Sequence, residues 1–312
     1  MGQISSSVTD DVMTTARKAK KPGVNERFLA FLHLAPGMSG FIIFVVIPLI
    51  ASIVISLYRW PLFGDPKFIG VDNYLRLFDG RTPVFGQILF NTALFAIGYT
   101  AANLIISTGL AVWLHSLPDW APFFRVLFFV PVVTPMVANA LVWRVILDDR
   151  GMINGMLAML GITGPSWLGE SGWAMFSMIL MSLWQGVGYN IVVLAAGLNN
   201  INPSVLESAR IDGTSAWSRF WTITFPMLSP SLFFCTIMTV IGAFKVFTQP
   251  YMLTKGGPGD ATNTLVLFLY RSGFSYDQLG FASSLAWVLF VIVMLVTALQ
   301  FVGQKHWVEY DA

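Results

Sequence analysis

The stretch PSVLESARIDGTSAWSRFWTITFPMLSP, residues 203–230, is a polar island between two long apolar runs. A polar segment in that position must project from a membrane face. Asn202 can cap a first short helix, whose first turn tolerates a proline because the missing N–H has no partner there. Gly213 allows the left-handed backbone that ends a helix, and Thr214 or Ser215 can cap a second helix. This polar stretch therefore predicts two short helices joined by an elbow at Gly213.

The composition indicates a polytopic membrane protein. Of 312 residues, 55% are hydrophobic and 11% are charged, whereas soluble domains carry about 25% charged residues. The net charge of +2 gives no reason to expect nucleic acid as a partner. The single cysteine, Cys235, lies in an apolar run, which excludes an internal disulfide. Residues 1–27 are polar and lack the apolar core of a signal peptide.

Six apolar runs approach the length of about 20 residues that a helix needs to cross the hydrocarbon. The third run is interrupted by Pro131, Pro135 and Arg144, so a count of five remains open. The predicted fold class is an all-α polytopic membrane protein with six transmembrane helices. The predicted segments are an N-terminal tail over 1–27, a membrane domain over 28–302 with spans at about 36–58, 88–114, 123–147, 174–198, 231–253 and 280–302, and a C-terminal tail over 303–312.

The first span sets the predicted orientation. Five basic residues precede it, which places the N-terminus in the cytoplasm by the positive-inside rule. Six spans then place the C-terminus and the polar stretch in the cytoplasm, and segments 59–87, 148–173 and 254–279 outside. A count of five would put the polar stretch and the C-terminus on opposite sides of the membrane. The five basic residues are Arg17, Lys18, Lys20, Lys21 and Arg27.

The letters of the polar stretch resemble the signature loop of permease subunits of ATP-driven, binding-protein-dependent ABC importers. That pattern is E-A-A-x-x-D-G-A, then an aromatic residue, I-x-L-P and a later proline. The departures are Ser208, Thr214 and Phe225, two small replacements and one apolar one. The matching residues are Glu207, Ala209, Asp212, Gly213, Ile223 and Pro226.

The resemblance covers about residues 28–309 and is closest to the carbohydrate-uptake branch. The individual motifs are weak, and together they are specific. They are Phe68–Tyr74 (F-x-G-x-x-N-Y), Asn91-Thr92, Gly151–Asn154 (G-x-I-N), Phe244–Phe247 (F-K-x-F) and Leu253–Pro258 (L-T-x-G-G-P).

The resemblance implies a type I importer permease fold in a bacterial cytoplasmic (inner) membrane. The implied partners are a second homologous permease subunit, two ATP-binding subunits, an extracytoplasmic solute-binding protein and membrane lipid. ATP and Mg²⁺ would bind to the ATPase subunits, and this chain would bind no cofactor and carry no catalytic residue. Glu207 would anchor the ATPase, with a solvated helix charge as the alternative, and Ala209 would keep the docking face thin. The implied coupling residues are Glu207, Ser208, Ala209, Asp212 and Gly213.

A sugar path needs aromatic platforms for CH faces and hydrogen-bonding side chains for hydroxyls. The fourth span offers a polar face at spacings of three and four residues, although helix packing would use similar residues. In the fifth span Lys245 either binds substrate or extends to the interface. The expected path residues are Ser182, Trp184, Gln185, Gly186, Tyr189, Thr239, Gly242, Ala243 and Lys245.

The sequence contains no motif that indicates an enzyme. It has no Walker-type phosphate loop, and its three histidines lie on separate segments, so no shared metal site is expected. The function that the resemblance implies is a permease subunit of an ATP-driven sugar importer. Glycerol phosphate or a polyol is an alternative cargo. A self-contained secondary carrier and a membrane scaffold are rival readings, and the absence of an internal repeat speaks against the carrier.

Overall fold

The chain is mostly helical in a computed structural model, which describes residues 24–61, 63–117 and 119–309. Two short strands pair antiparallel, Tyr58 opposite Phe68 and Arg59 opposite Lys67. The elements are α1 (Val24–Phe41), α2 (Ile47–Ser56), β1 (Tyr58–Arg59), β2 (Lys67–Phe68), α3 (Asp72–Phe78), α4 (Phe85–His115), α5 (Ala121–Val133), α6 (Met136–Ile146), α7 (Met152–Met159), α8 (Ser171–Asn199), α9 (Pro203–Ile211), α10 (Ala216–Arg219), α11 (Phe225–Phe244), α12 (Thr248–Leu253), α13 (Leu265–Tyr270) and α14 (Leu279–Gly303), with π-helical turns at Ile42–Val46, Phe220–Thr224 and Arg271–Ser275 and a 3₁₀ turn at Gln304–His306.

The chain divides into two compact units, Met1–Val54 and Ile55–Ala312. The described part of the first unit is α1 and most of α2, joined by a π-helical turn. The predicted tail over 1–27 overlaps α1 from Val24 onward, and its first 23 residues lie outside the described residues. The sheet and all later helices belong to the second unit, which contains the site described below.

The membrane class of the sequence prediction is confirmed. Five helical runs of the described chain are long and apolar enough to cross a membrane, and the bent pair α5–α6 makes a sixth if it is counted as one span. The five runs are Phe31–Ser56, Phe85–His115, Ser171–Asn199, Ala216–Phe244 and Leu279–His306.

The third predicted span is not one continuous helix. Its two halves, α5 and α6, meet at an angle of 97°. Thr134 has the extended backbone angles φ −76° and ψ 135°, because the ring of a following proline disfavours the helical region. Pro135 therefore breaks the helix, and the predicted span over 123–147 is a single span only if the bent pair α5–α6 is counted as one.

The helix at the fifth predicted span, 231–253, has different bounds in the structure. The helix begins 15 residues earlier, at Ala216, runs through the π-helical turn into α11 and ends at Phe244. Pro250 has no N–H to give to the carbonyl of Val246, which instead accepts a hydrogen bond from the Thr264 hydroxyl at 3.1 Å. Because the helix begins at Ala216, the second short helix of the polar stretch is the first part of this long run rather than a separate element.

Helices α4, α8 and α11 pack together around the core of the second unit. Buried side chains of this core include Phe95 of α4, Met178 and Met181 of α8 and Ala243 of α11. Polar side chains also cross between the helices: the Asn190 amide donates to Asn103 Oδ1 at 2.7 Å and to Thr239 Oγ1 at 2.9 Å. Small and polar residues of this kind allow close packing of helices in a membrane.

Candidate functional site

A cavity of about 530 Å³ lies against one face of α8, and it is called the α8 cavity below. The neighbouring helices α4, α6 and α11 and the break after α11 complete its wall. Its lining residues are Phe95, Tyr99, Met136, Ser182, Gln185, Gly186, Tyr189, Asn190, Met238, Thr239, Gly242, Ala243, Lys245, Val246, Phe247, Thr248 and Gln249.

The α8 cavity combines aromatic rings with amide side chains. Phe95 and Tyr99 are stacked, one turn apart on α4, with ring centroids 5.6 Å apart. Gln249 donates to the Ser182 hydroxyl at 3.2 Å. This hydrogen bond connects α12, the helix after the break that follows α11, to α8. Rings can cover the CH faces of a sugar, and amides can bond its hydroxyls.

Gln185 has an unused hydrogen-bonding atom at the cavity wall. Its Nε2 donates to the carbonyl of Thr134 at 3.1 Å, the carbonyl that the Pro135 break leaves free. The side chain is only 7% exposed, and Oε1 has no hydrogen-bond partner. A buried acceptor without a hydrogen-bond partner destabilises the structure. A ligand hydroxyl that donated to Oε1 would remove this cost, which would favour ligand binding.

Eight of the nine expected path residues line the α8 cavity, and Trp184 does not. Trp184 is 45% exposed and packs edge-on against Trp143 of α6, with ring centroids 5.8 Å apart. Successive residues of a helix point about 100° apart. Trp184 therefore does not share the face of Gln185, and the structure places it outside the α8 cavity.

Lys245 lines the α8 cavity from a different position than expected. It follows the last residue of α11 and caps that helix, with its backbone N–H bonded to the Gly242 carbonyl at 3.1 Å. Its side chain is exposed. The lysine thus lies at a helix break rather than inside a continuous span, and its ammonium group has no ion pair among the described residues.

Gly186 allows α4 and α8 to approach closely. A side-chain carbon at this position would come within 2.1 Å of the Tyr99 hydroxyl. The glycine therefore lets α4 place Tyr99 at the cavity wall. Tyr99 and Phe95 were missed from the sequence, since nothing local marks them as facing α8.

Gln249 was missed as well, although a signal was present. A glutamine next to Pro250 within an apolar run could have marked a helix break with a polar side chain. Asn190, also on the fourth span, was not among the expected path residues. The structure places it at the wall, where Asn103 and Thr239 already satisfy its amide.

The polar stretch begins with a well-capped short helix. The Asn202 side chain accepts from the Ser204 N–H at 3.1 Å, and α9 starts at Pro203. Gly213 has a φ of +75°, and Ser215 accepts from the Ser218 N–H at 3.2 Å to cap the next helix. These caps and the elbow were predicted correctly.

The outward face of α9 carries Glu207 and Ile211. Both are exposed, Ile211 to 86%. Glu207 makes no ion pair within the described chain. Ser208 is also exposed, but its hydroxyl bonds back to the carbonyls of Ser204 and Val205. Asp212 caps the C-terminus of α9, next to the elbow.

Ala209 has a different place from the one expected. It is buried, 7% exposed, within this chain alone. Leu206, one turn earlier, packs against the core formed by Leu198, Leu228 and Leu232. Ala209 thus lies on the face of α9 that packs against the helices of its own chain. It does not lie on the exposed face that a partner would contact. Among the described residues, no group of three or more His, Cys, Asp or Glu side chains could hold a metal ion.

The chain is similar to known transport proteins. A family model described as "Binding-protein-dependent transport system inner membrane component" matches residues 104–306. The probable ABC transporter permease protein YesP of Bacillus subtilis (strain 168) is 35% identical over 306 residues, 97% of each chain. The lactose transport system permease protein LacF of Rhizobium radiobacter is 34% identical over 285 residues, 88% of this chain and 94% of the relative.

The fold has a counterpart among solved structures. A chain of the bacterial alginate ABC transporter, crystallised in complex with an alginate pentasaccharide-bound periplasmic protein, superposes with a TM-score of 0.77. The match covers 89% of this chain and 94% of that one, at 19% identity. At this level of identity the likeness concerns the fold alone.

Proposed function

Because the chain belongs to the family of binding-protein-dependent transport system inner membrane components, we propose that it is the permease subunit of an ATP-driven importer of a sugar or sugar-like solute. The observation that carries the proposal is the α8 cavity, with stacked aromatic rings, amide side chains and the unpartnered Gln185 Oε1. The names of similar proteins, which mention lactose and alginate, support a carbohydrate cargo.

In this proposal the α8 cavity is one half of a shared path. Tyr189, Gly242 and Lys245 line it and remain exposed in this chain. A second, homologous permease subunit would cover that side and supply the remaining contacts. Solute would arrive from an extracytoplasmic binding protein, by analogy with the alginate transporter, which was crystallised with a pentasaccharide-bound periplasmic protein.

The polar stretch would couple the path to two ATPase subunits, which would hold ATP and Mg²⁺. Glu207 would form a charge-assisted hydrogen bond with a basic group of the ATPase, beside the apolar contact of Ile211. Both side chains are exposed and without a partner of this kind in the described chain. The stretch would then face the cytoplasm, together with both chain termini.

One helix connects the elbow to the α8 cavity. The run Ala216–Phe244 starts three residues after Gly213 and carries Thr239 and Gly242 in the cavity wall. At 1.5 Å per residue it spans roughly 40 Å. A displacement of α9 by the ATPases would therefore move the wall of the path and shift the permease between two packed states.

A charge reversal on α9 tests this proposal. In the complex reconstituted with its partner subunits, Glu207→Lys combined with Gly213→Pro should insert normally and lose stimulated ATP hydrolysis and uptake by at least about tenfold. Glu309→Lys is a matched control with the same change of charge outside α9. Normal uptake by the double variant would refute the coupling role of the polar stretch.

A further inference from the structure

A second cavity, of about 610 Å³, lies beside the β1–β2 hairpin and is called the hairpin cavity below. Its walls are the hairpin, α3 and the segment that leads into α14. All of its lining residues belong to the unit Ile55–Ala312. It shares no lining residue with the α8 cavity, so substrate transport does not account for it.

Three cationic side chains of the hairpin cavity have no ion pair within the described residues. Arg59 and Lys67 are paired directly across the two strands, so their like charges are held side by side. Like charges in directly opposed positions destabilise a strand pair. The third cation, Arg76, is fixed by a 2.8 Å hydrogen bond to Gln278 and lies 4.3 Å above the ring of Phe281.

The fourth cation of the hairpin cavity is already neutralised. Arg81 bonds Asp72 at 2.8 Å and Asp79 at 2.6 Å. The hydrogen bond from Arg81 holds the pKa of the Asp72 carboxyl below its usual value, so this carboxylate stays charged and occupied. Asp65 and Asp277 also line the cavity, so its lining carries four cations and three carboxylates, and Asp79 outside the lining offsets part of the charge of Arg81.

Large apolar side chains are exposed next to these charges. Val71, Leu75 and Phe78 follow each other at spacings of four and three residues, on one face of α3, and are 56–72% exposed. Phe68, at the end of β2, is 64% exposed. On the opposite face of α3, Asn73 and Leu77 are buried. An apolar face beside basic residues is typical of an element that lies in the membrane interface.

We propose that the hairpin cavity binds the headgroup of an anionic phospholipid. The phosphodiester, with its single negative charge, would lie among Arg59, Lys67 and Arg76, the three cations that have no ion pair within the described residues. The exposed apolar face of α3 would contact the acyl chains. Trp60, which lines the cavity, suits the same depth, since tryptophan favours the membrane–water interface.

The combination of charge and apolar surface favours a lipid over other anions. A free phosphate would use the cations and leave the apolar face of α3 in water. An acidic protein surface would match the cations and would need an apolar patch of its own to cover α3. A phospholipid matches both surfaces with one molecule, because it joins a phosphate to acyl chains.

Lipid retention by the purified full-length chain tests the inference. The protein is placed in nanodiscs of dioleoyl-phosphatidylglycerol and dioleoyl-phosphatidylcholine in equal amounts, and bound lipids are counted by native mass spectrometry. We expect selective retention of phosphatidylglycerol by the unmodified chain. Arg59→Gln with Lys67→Gln should lower its affinity by roughly tenfold, because both side chains would lose their charge near the phosphate.

Two comparisons decide the outcome. Arg150→Gln with Lys255→Gln removes the same charge from two other exposed positions and should leave retention unchanged. Leu75→Ser with Phe78→Ser keeps every cation and should still weaken lipid retention several-fold. Equal retention by the Arg59/Lys67 variant would overturn the proposal. Displacement of the lipid by excess inorganic phosphate, with no effect of the Leu75/Phe78 variant, would also overturn it in favour of a simple anion site.

Discussion

At Gln185 a single amide joins the α8 cavity to the broken third span. Its Nε2 holds the carbonyl of Thr134, and its Oε1 is buried without a partner. A substrate hydroxyl that donated to Oε1 would thus contact the same side chain that donates to the Thr134 carbonyl, next to the break at Pro135. Substrate occupancy and the angle between α5 and α6 are therefore coupled through one residue in the proposed mechanism.

Removing this amide should impair transport. Gln185→Leu leaves the Thr134 carbonyl without its donor and deletes the acceptor for substrate, and each loss costs about 1–3 kcal/mol. We expect uptake by the reconstituted complex to fall at least tenfold. Trp184→Phe is the matched control, since that side chain lies outside the cavity and should leave uptake within about twofold. Equal effects of the two variants would contradict the assignment of the cavity.

Gly188 controls how closely α5 and α8 pack. A side-chain carbon there would lie only 2.0 Å from the Phe128 carbonyl oxygen, a backbone atom that cannot turn away. Gly188→Ala should therefore destabilise the purified chain by about 1–3 kcal/mol, as overpacking does. Gly109→Ala, at a helical position with open space around it, is the control. Unchanged thermal stability of Gly188→Ala would refute this packing.

Residue spacing on one helix could be read from the sequence, and partners on other helices could not. The spacing of Ser182, Gln185 and Tyr189 predicted a common face, which the structure confirms. Trp184 was included for its chemistry, against that spacing. Tyr99 and Gln249 were missed, because contacts between distant segments depend on how the helices pack.

The helix that starts at Ala216 is the element that departs most from expectation. Polar letters and two prolines suggested that the membrane span begins only after Pro230. In the structure the helix continues through both prolines, with a π-helical turn at Phe220–Thr224 just before Pro226. Prolines are tolerated in membrane helices when neighbouring groups satisfy the freed carbonyls. At Pro135, by contrast, the helix is interrupted. A proline alone therefore does not determine whether a membrane helix continues.

The cap of α9 should determine how well that helix is formed. Asn202→Ala removes the acceptor for the Ser204 N–H, at a cost of about 1 kcal/mol. Amides of α9 should then exchange hydrogen about fivefold faster, as measured by mass spectrometry. Asn200→Ala changes a nearby asparagine whose side chain caps no helix in the described chain. If both variants exchanged alike, the cap would contribute nothing to α9.

In the whole molecule, the helical run Ala216–Phe244 extends from near the elbow to the wall of the α8 cavity, and the proposed mechanism uses it as the connection between them. The sequence predicted the class of the protein and the position of the polar stretch, since both rest on local composition and motifs. Pro250 was a signal for the break after α11, but the hydrogen bond from Thr264 to the freed Val246 carbonyl comes from a distant segment and could not be predicted. The hairpin cavity was equally hidden, because its charges come from three separate segments.

The side of the membrane on which the elbow lies tests the central claim most directly. In a Cys235→Ala background, Ser218→Cys places one thiol at an exposed position of α10. Thr163→Cys, in the segment expected outside, serves as the positive control. With a membrane-impermeant maleimide, intact cells should label at position 163 only, and position 218 should label after permeabilisation. Labelling of position 218 in intact cells would contradict coupling to cytoplasmic ATPases.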